Sequence, residues 1–164
     1  MGGDQGDFCE YVALRRAALL RTAILLTGNS ADAEDLLQTA LAKTYLAWSR
    51  INDPTAVDGY VRRALINTHI SWWRRRRIDE YPSAELPDTG VEDPTIAGEL
   101  RDLMARALRR LPTRQRAAIV LRYYVDMSEP EIADTLGISV GTVKSTVSRG
   151  VAKLRADAEL AAGC

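Results

Sequence analysis

Between Asp79 and Thr95 the chain reads DEYPSAELPDTGVEDPT, with three prolines, one glycine, six acids and no base. Proline withholds a backbone donor and is barred from helix interiors. A segment this acidic, with so few large apolar side chains, cannot bury enough surface to offset the entropy of ordering itself. The stretch therefore reads as a tether, able to span about 55 Å if extended at about 3.3 Å per residue. It cuts a 164-residue chain into two short halves, each of which must build its own small core. With a single Phe and 6% aromatic residues, neither half is furnished for a large β core. The prediction is two small helical modules on an acidic linker.

Charge follows the same division. Residues 62–77 carry six positive charges (Arg62, Arg63 and Arg74 to Arg77) and no negative one. Residues 78–99 carry seven negative charges and no positive one, and basic residues prevail again from 101 to 155. The formal net charge of zero is thus a sum of opposed blocks, and local blocks govern what a surface binds. Cys9 and Cys164 sit near opposite ends in no spaced motif, and there is one His, so neither a disulfide framework nor a zinc site is expected. No run approaches the eighteen apolar residues of a membrane span, and the opening MGGDQGDF does not resemble a signal peptide.

The first half reads as three helices. Tyr11, Leu14, Leu19 and Ile24 give approximate helical periodicity up to Gly28, a suitable C-terminal cap. Asn29-Ser30 can cap a second helix, with Asp32, Glu34 and Asp35 in its first turn and Leu37, Leu41, Tyr45 and Trp48 as its buried stripe. Glu34, Asp35 and Gln38 lie on another side. Residues 50–58 read as a loop, and a third helix follows from about 59 to 77 with Val61, Leu65, Thr68 and Trp72 inward. It ends in SWWRRRR, two indoles against four consecutive arginines. Trp73, about 100° round the helix from Trp72, is expected to face outward.

In the second half one helix ends at Leu111-Pro112 and another runs to about Val125. Then comes SEPEIADTLGISVGTVKSTVSRGVAKLR. Ser128 and Glu131 form a capping box, Ile132, Ala133 and Leu136 give an apolar face, and Gly137 can take a left-handed turn. Ser139 caps a following helix with Val143, Val147, Val151 and Leu154 inward. This is the spacing of a helix-turn-helix. Its second helix would present Val140, Gly141, Lys144, Ser145 and Ser148 outward, small polar residues and one cation suited to close approach to base edges. Arg149 and Lys153 are within reach of phosphates.

AEDLLQ at 33–38, YVRRALINT at 60–68 followed by WWRR, LPTRQRAAIVLRYY and EIADTLGISVGTVKS together resemble the extracytoplasmic-function (ECF, group IV) sigma factors of bacterial RNA polymerase. LLTGN and AEDLLQ are similar to an actinobacterial SigE-like subgroup. The resemblance implies an all-α chain in the following order: a disordered tail (1–7), sigma region 2 (8–78), the acidic linker (79–95), sigma region 4 (96–158) and a C-terminal tail (159–164). It implies a cytoplasmic, non-enzymatic initiation factor, monomeric when free, without metal or cofactor and without a membrane partner. Its partners would be promoter DNA and core RNA polymerase, at the β′ clamp helices and the β flap, with an anti-sigma factor as a regulator in many members. Glu34, Asp35, Leu36 and Gln38 would bind polymerase. Asn52, Asp53, Arg62, Arg63, Asn67, Trp73, Arg74, Arg75 and Arg76 would meet the −10 element, with a base flipped into a pocket bordered by Asn67 and the 50–58 loop. Ser139, Val140, Gly141, Thr142, Lys144, Ser145, Ser148 and Arg149 would meet the −35 element.

Two positions depart from the family pattern. Ser71 stands where Asp is common, and Thr146 where many members carry Arg, which would remove a phosphate contact. Residues 128–155 alone equally fit a helix-turn-helix regulator that binds duplex DNA without polymerase, but such a protein has no use for AEDLLQ beside a basic, aromatic helix. An enzyme would need a carboxylate cluster, an activated nucleophile or a phosphate loop, and the acids here fall in capping turns and the tether.

Overall fold

A computed structural model describes residues 2–51, 53–78 and 96–162, with side chains described for 5–51, 53–75 and 103–158. Among the described residues seven α-helices run α1 (Gly2–Thr27), α2 (Ser30–Ala47), α3 (Val57–Ile78), α4 (Ile96–Arg109), α5 (Thr113–Ile119), α6 (Glu129–Leu136) and α7 (Val140–Ala162). Among the described residues there is no strand. The chain forms two compact units, the first holding most of α1 with α2 and α3, the second α4 to α7. The expected linker, 79–95, lies outside the described residues.

In the first unit α2 packs on α3, and Ala33, Leu36, Leu37, Ala40, Leu41, Thr44 and Ala47 of α2 are buried. Small residues at 33, 40 and 47 recur every second turn and let the two backbones approach. Tyr45 is exposed and Trp48 half-buried, so the expected stripe 37/41/45/48 drifts off the core. Those two rings serve another purpose. Phe8 packs edge-on against Tyr45 at 5.0 Å and Trp48 at 5.3 Å between centroids, and Tyr11 lies 5.8 Å from Trp48. That aromatic anchor fixes the start of α1, which is helical from Gly2 where a disordered tail was expected. Leu14, expected inward, is 75% exposed, and Leu19, Thr22 and Ala23 make the buried side of α1.

A second fastening joins α1 to the start of α3. Tyr11 donates to Asp58 Oδ1 at 2.5 Å and Arg15 Nε to the same oxygen at 3.2 Å. Burial opposes ionisation of Asp58, but the Tyr11 hydrogen bond and the Arg15 charge outweigh it and hold the carboxyl below its ordinary range. Burial and the same carboxylate push the Tyr11 hydroxyl well above its ordinary value. Lys43 on α2 donates to the buried Thr68 hydroxyl of α3 at 2.8 Å. Two 3₁₀ turns, Trp48–Arg50 and Pro54–Ala56, occupy the segment expected as loop.

In the second unit α5 passes directly into a π-helical turn, Val120–Tyr124, closed by Val125 N–H donating to Val120 O at 3.0 Å. Asp126 takes a left-handed φ of 63° and turns the chain into α6. The capping box holds as expected. Ser128 Oγ accepts from Glu131 N at 3.3 Å, and the Glu131 carboxylate accepts from Ser128 N at 3.2 Å. Gly137 (φ 68°) ends α6, with Ile138 N donating back to Ala133 O at 3.0 Å. Ser139 Oγ accepts from Thr142 N at 3.1 Å and opens α7, which runs to Ala162 and so passes through most of the expected C-terminal tail.

Candidate nucleic-acid interface

Helix α3 buries Val61, Leu65, Ile66, Thr68, His69 and Ile70, a wide arc for one helix. Among its exposed described residues are Tyr60, Arg63, Asn67, Ser71 and Arg74. Steps of three and four residues put these on a single stripe, about 21 Å long at 1.5 Å per residue. Arg75 is exposed at its edge. Tyr60, 39% exposed, was no part of the sequence reading. The signal that would have found it is the spacing, two turns back from Asn67.

Several expected −10 residues stand elsewhere. Arg62 is exposed but turned about 100° from Arg63, toward Asp58, whose ionisation its charge assists. Trp73 is half-buried, as is Trp72, so the expected division into an inward and an outward indole does not occur. Trp73 follows the side of Ile66 and Ile70, which the bundle covers. Asp53 caps a turn: its Oδ1 accepts from Thr55 N at 2.9 Å and Thr55 Oγ1 at 2.7 Å. Those bonds, the hydroxyl's first, hold its carboxyl below the ordinary range. Asn52 and the Arg76 side chain lie outside the described residues.

On α2, Asp35 and Gln38 are exposed side by side, one turn apart. Glu34 is half-exposed and already hydrogen-bonded to Arg16 of α1. Leu36, expected among the polymerase contacts, is 0% exposed and belongs to the core. Ala33 and Leu37 of AEDLLQ are buried with it, while Asp35 and Gln38 face out because a helix places successive residues about 100° apart.

In the second unit the outward residues of α7 are those the spacing predicts. Ser139, Val140, Gly141, Lys144, Ser145, Ser148 and Arg149 are exposed, and Thr142 is half-buried with its hydroxyl 2.8 Å from Ser139 Oγ. Lys144 Nζ lies 3.8 Å from Glu129 Oε2 at the start of α6. Thr146 is 6% exposed, on the inner face with Val143 and Gly150. Its side chain packs inside the unit. Lys153 is exposed one turn beyond Arg149.

Among the described residues no cluster of His, Cys, Asp or Glu could hold a metal ion, and no helix is long and apolar enough to cross a membrane.

Residues 11–78 match the family described as Sigma-70 region 2, and residues 101–154 that described as Sigma-70, region 4. The chain is 46% identical over 157 residues to the RNA polymerase sigma-E factor of Streptomyces avermitilis, covering 96% of this chain and 88% of that one. It is 36% identical over 158 residues to the ECF RNA polymerase sigma factor SigM of Mycobacterium tuberculosis, covering 94% and 78%. Among solved structures it is similar to the sigma factor RpoE in complex with the anti-sigma factor NepR from Bartonella quintana (TM-score 0.66, 29% identity, 91% and 94% covered). It is also similar to CnrH in complex with the cytosolic domain of CnrY (TM-score 0.60, 27% identity, 97% and 92% covered).

Proposed function

This chain belongs to the ECF sigma factors of bacterial RNA polymerase, and from that premise we propose how its surfaces divide the work of initiation. It is an alternative sigma factor that directs RNA polymerase to promoters. Asp35 and Gln38 are the polymerase contacts of α2, exposed on a helix that the unit holds rigidly from behind. The stripe Tyr60–Arg63–Asn67–Ser71–Arg74 follows the −10 strand, with arginines on phosphates and Asn67 at a base edge. A base read by its edge in a pocket must first leave the stack, at a cost of a few kcal/mol. Residues 53–57 lead into that helix, shaped by the Asp53 cap. The exposed face of α7 lies in the −35 major groove, where Val140, Gly141, Ser145 and Ser148 admit close approach and Lys144 is the cation.

The observation that carries this reading is the pairing, in one chain, of a basic, amide-bearing stripe with a separately folded helix-turn-helix. A duplex-binding regulator needs only the second. The factor works stoichiometrically and performs no chemical step itself, in the compartment where polymerase works. The similar sigma factor RpoE is known in complex with the anti-sigma factor NepR, and the similar CnrH with the cytosolic domain of CnrY, which supports regulation of this chain by a partner of that kind.

Transcription in vitro with core polymerase, with and without the full chain, tests the reading. Initiation from a promoter selected by the reconstituted holoenzyme is expected to depend on the added chain. Equal initiation without it would overturn the assignment.

A further inference from the structure

We propose that Glu129 is a specificity-determining residue of the −35 reading face, one that reserves Lys144 for neutral base acceptors and withholds it from phosphates. The proposal rests on the reading of α7 as the helix in the groove.

Glu129 opens α6 directly after the Ser128 cap, and its Oε2 lies 3.8 Å from Lys144 Nζ across the helix-turn-helix. The glutamate side chain is 32% exposed and the lysine side chain 67%. The carboxylate is the more enclosed member of the pair and the ammonium the more exposed one. From Ser139 to Ser148 Lys144 is the only charged residue. The pairing therefore leaves the first turns of the reading face without net charge.

Neutrality there has a consequence for selectivity. Phosphates line every duplex, and a free lysine binds any of them by releasing counterions, whatever the sequence. A lysine already paired gains little by exchanging a carboxylate for a phosphate, and the exchange leaves Glu129 facing another anion. The acceptors of guanine, O6 and N7, are uncharged. An ammonium has three N–H donors, so Lys144 can give one to Glu129 and turn the others to a base edge. A pair this exposed is weak enough to rearrange on binding, so Glu129 biases the choice of acceptor without locking the lysine.

The test uses holoenzyme assembled from core polymerase and the full chain. It is titrated by fluorescence anisotropy against a duplex whose −35 segment was selected from a randomised pool, and against the same duplex with that segment scrambled. Salt is varied from about 50 to 200 mM. Glu129→Gln keeps the shape and removes the charge. One added phosphate contact steepens the salt slope by about 0.9, which over that range is about a 3.5-fold change. Glu129→Gln is expected to strengthen binding to the scrambled duplex at low salt by about that factor. The selected duplex is expected to change less than about twofold, so the ratio between them narrows. In a Lys144→Ala background the same substitution is expected to do nothing. Equal strengthening on both duplexes, or an undiminished effect in the Lys144→Ala background, would overturn the proposal by reducing Glu129 to a general repulsive charge. If Lys144→Ala alone alters neither duplex, the placement of α7 fails, and the role of Glu129 with it.

Discussion

Gly150 lies on the buried face of α7 where α5 crosses it. A Cβ there would lie 2.4 Å from Ile119 Cδ1, 3.3 Å from Ile119 Cγ1 and 3.6 Å from Gln115 Cβ. Carbon atoms in contact prefer about 3.5–4.0 Å. Gly150→Ala must therefore drive Ile119, itself only 7% exposed, off its rotamer, or part the helices. Overpacking of this kind costs about 1–3 kcal/mol. Removing a glycine from a helix interior returns about 0.8–1 kcal/mol, so the net loss is about 0–2 kcal/mol. Ile119→Val deletes the offending Cδ1 and alone costs about 0.5–1.5 kcal/mol for the space it leaves. Combined, the alanine methyl occupies that space, and the double variant should be more stable than the sum of the singles by about 1–3 kcal/mol. Urea unfolding of the full chain, with hydrogen exchange at the amides of α5 and α7, reads this out segment by segment. Effects that add to within about 0.5 kcal/mol would show that the close approach of the two helices does not set the requirement for glycine.

Asp58 contributes stability as a carboxylate whose folded pKa is depressed. That contribution is present above the unfolded value of about 3.9 and is lost as pH falls through the lower folded value. Asp58→Asn should cost about 0.5–1 kcal/mol at neutral pH, discounted because both ion-pair partners are more than one-third exposed. Its melting temperature should also fall less steeply below about pH 4 than that of the unaltered chain, and parallel profiles would remove the charge from the account. Asp126→Gly should raise the melting temperature by up to about 1 kcal/mol equivalent, because glycine takes a left-handed φ without strain. A fall would mean the carboxylate makes a compensating contact. Asp35→Arg with Gln38→Ala should abolish capture by immobilised core polymerase while leaving the far-UV circular dichroism unchanged, and retained capture would move the polymerase surface off α2.

Local chemistry was the most legible part of the sequence. The capping box at Ser128, the left-handed Gly137 and the Ser139 cap each depend on residues a few positions apart, and each formed as read. Buried stripes were less legible, for a geometric reason. Stepping by four residues turns about 40° beyond a full circle, so 37/41/45 and 143/147/151 drift off the face that is really buried. The true inner positions include Ala33, Ala40, Ala47, Thr146 and Gly150, which a reading tuned to large apolar side chains passes over. Ends of helices were hardest to read. Three glycines in the first six residues argue against a helix, and only the long-range packing of Phe8 on Tyr45 and Trp48 overrides them. Arg16 and Glu129 escaped notice because each matters through a partner on another helix.

Helix α3 is enclosed along the arc that carries Val61, Leu65, Ile66, Thr68 and Ile70, and this sets where such a protein can change. A substitution at Val61, Leu65, Ile66, Thr68 or Ile70 is first a folding mutation, whatever it does to DNA. On the proposed reading, Tyr60, Arg63, Asn67, Ser71 and Arg74 are positions where promoter preference can change at little structural cost, since their side chains are exposed. The unit thus separates inheritance from novelty along one rod: the enclosed arc holds the architecture constant, and the exposed side is left free to diverge.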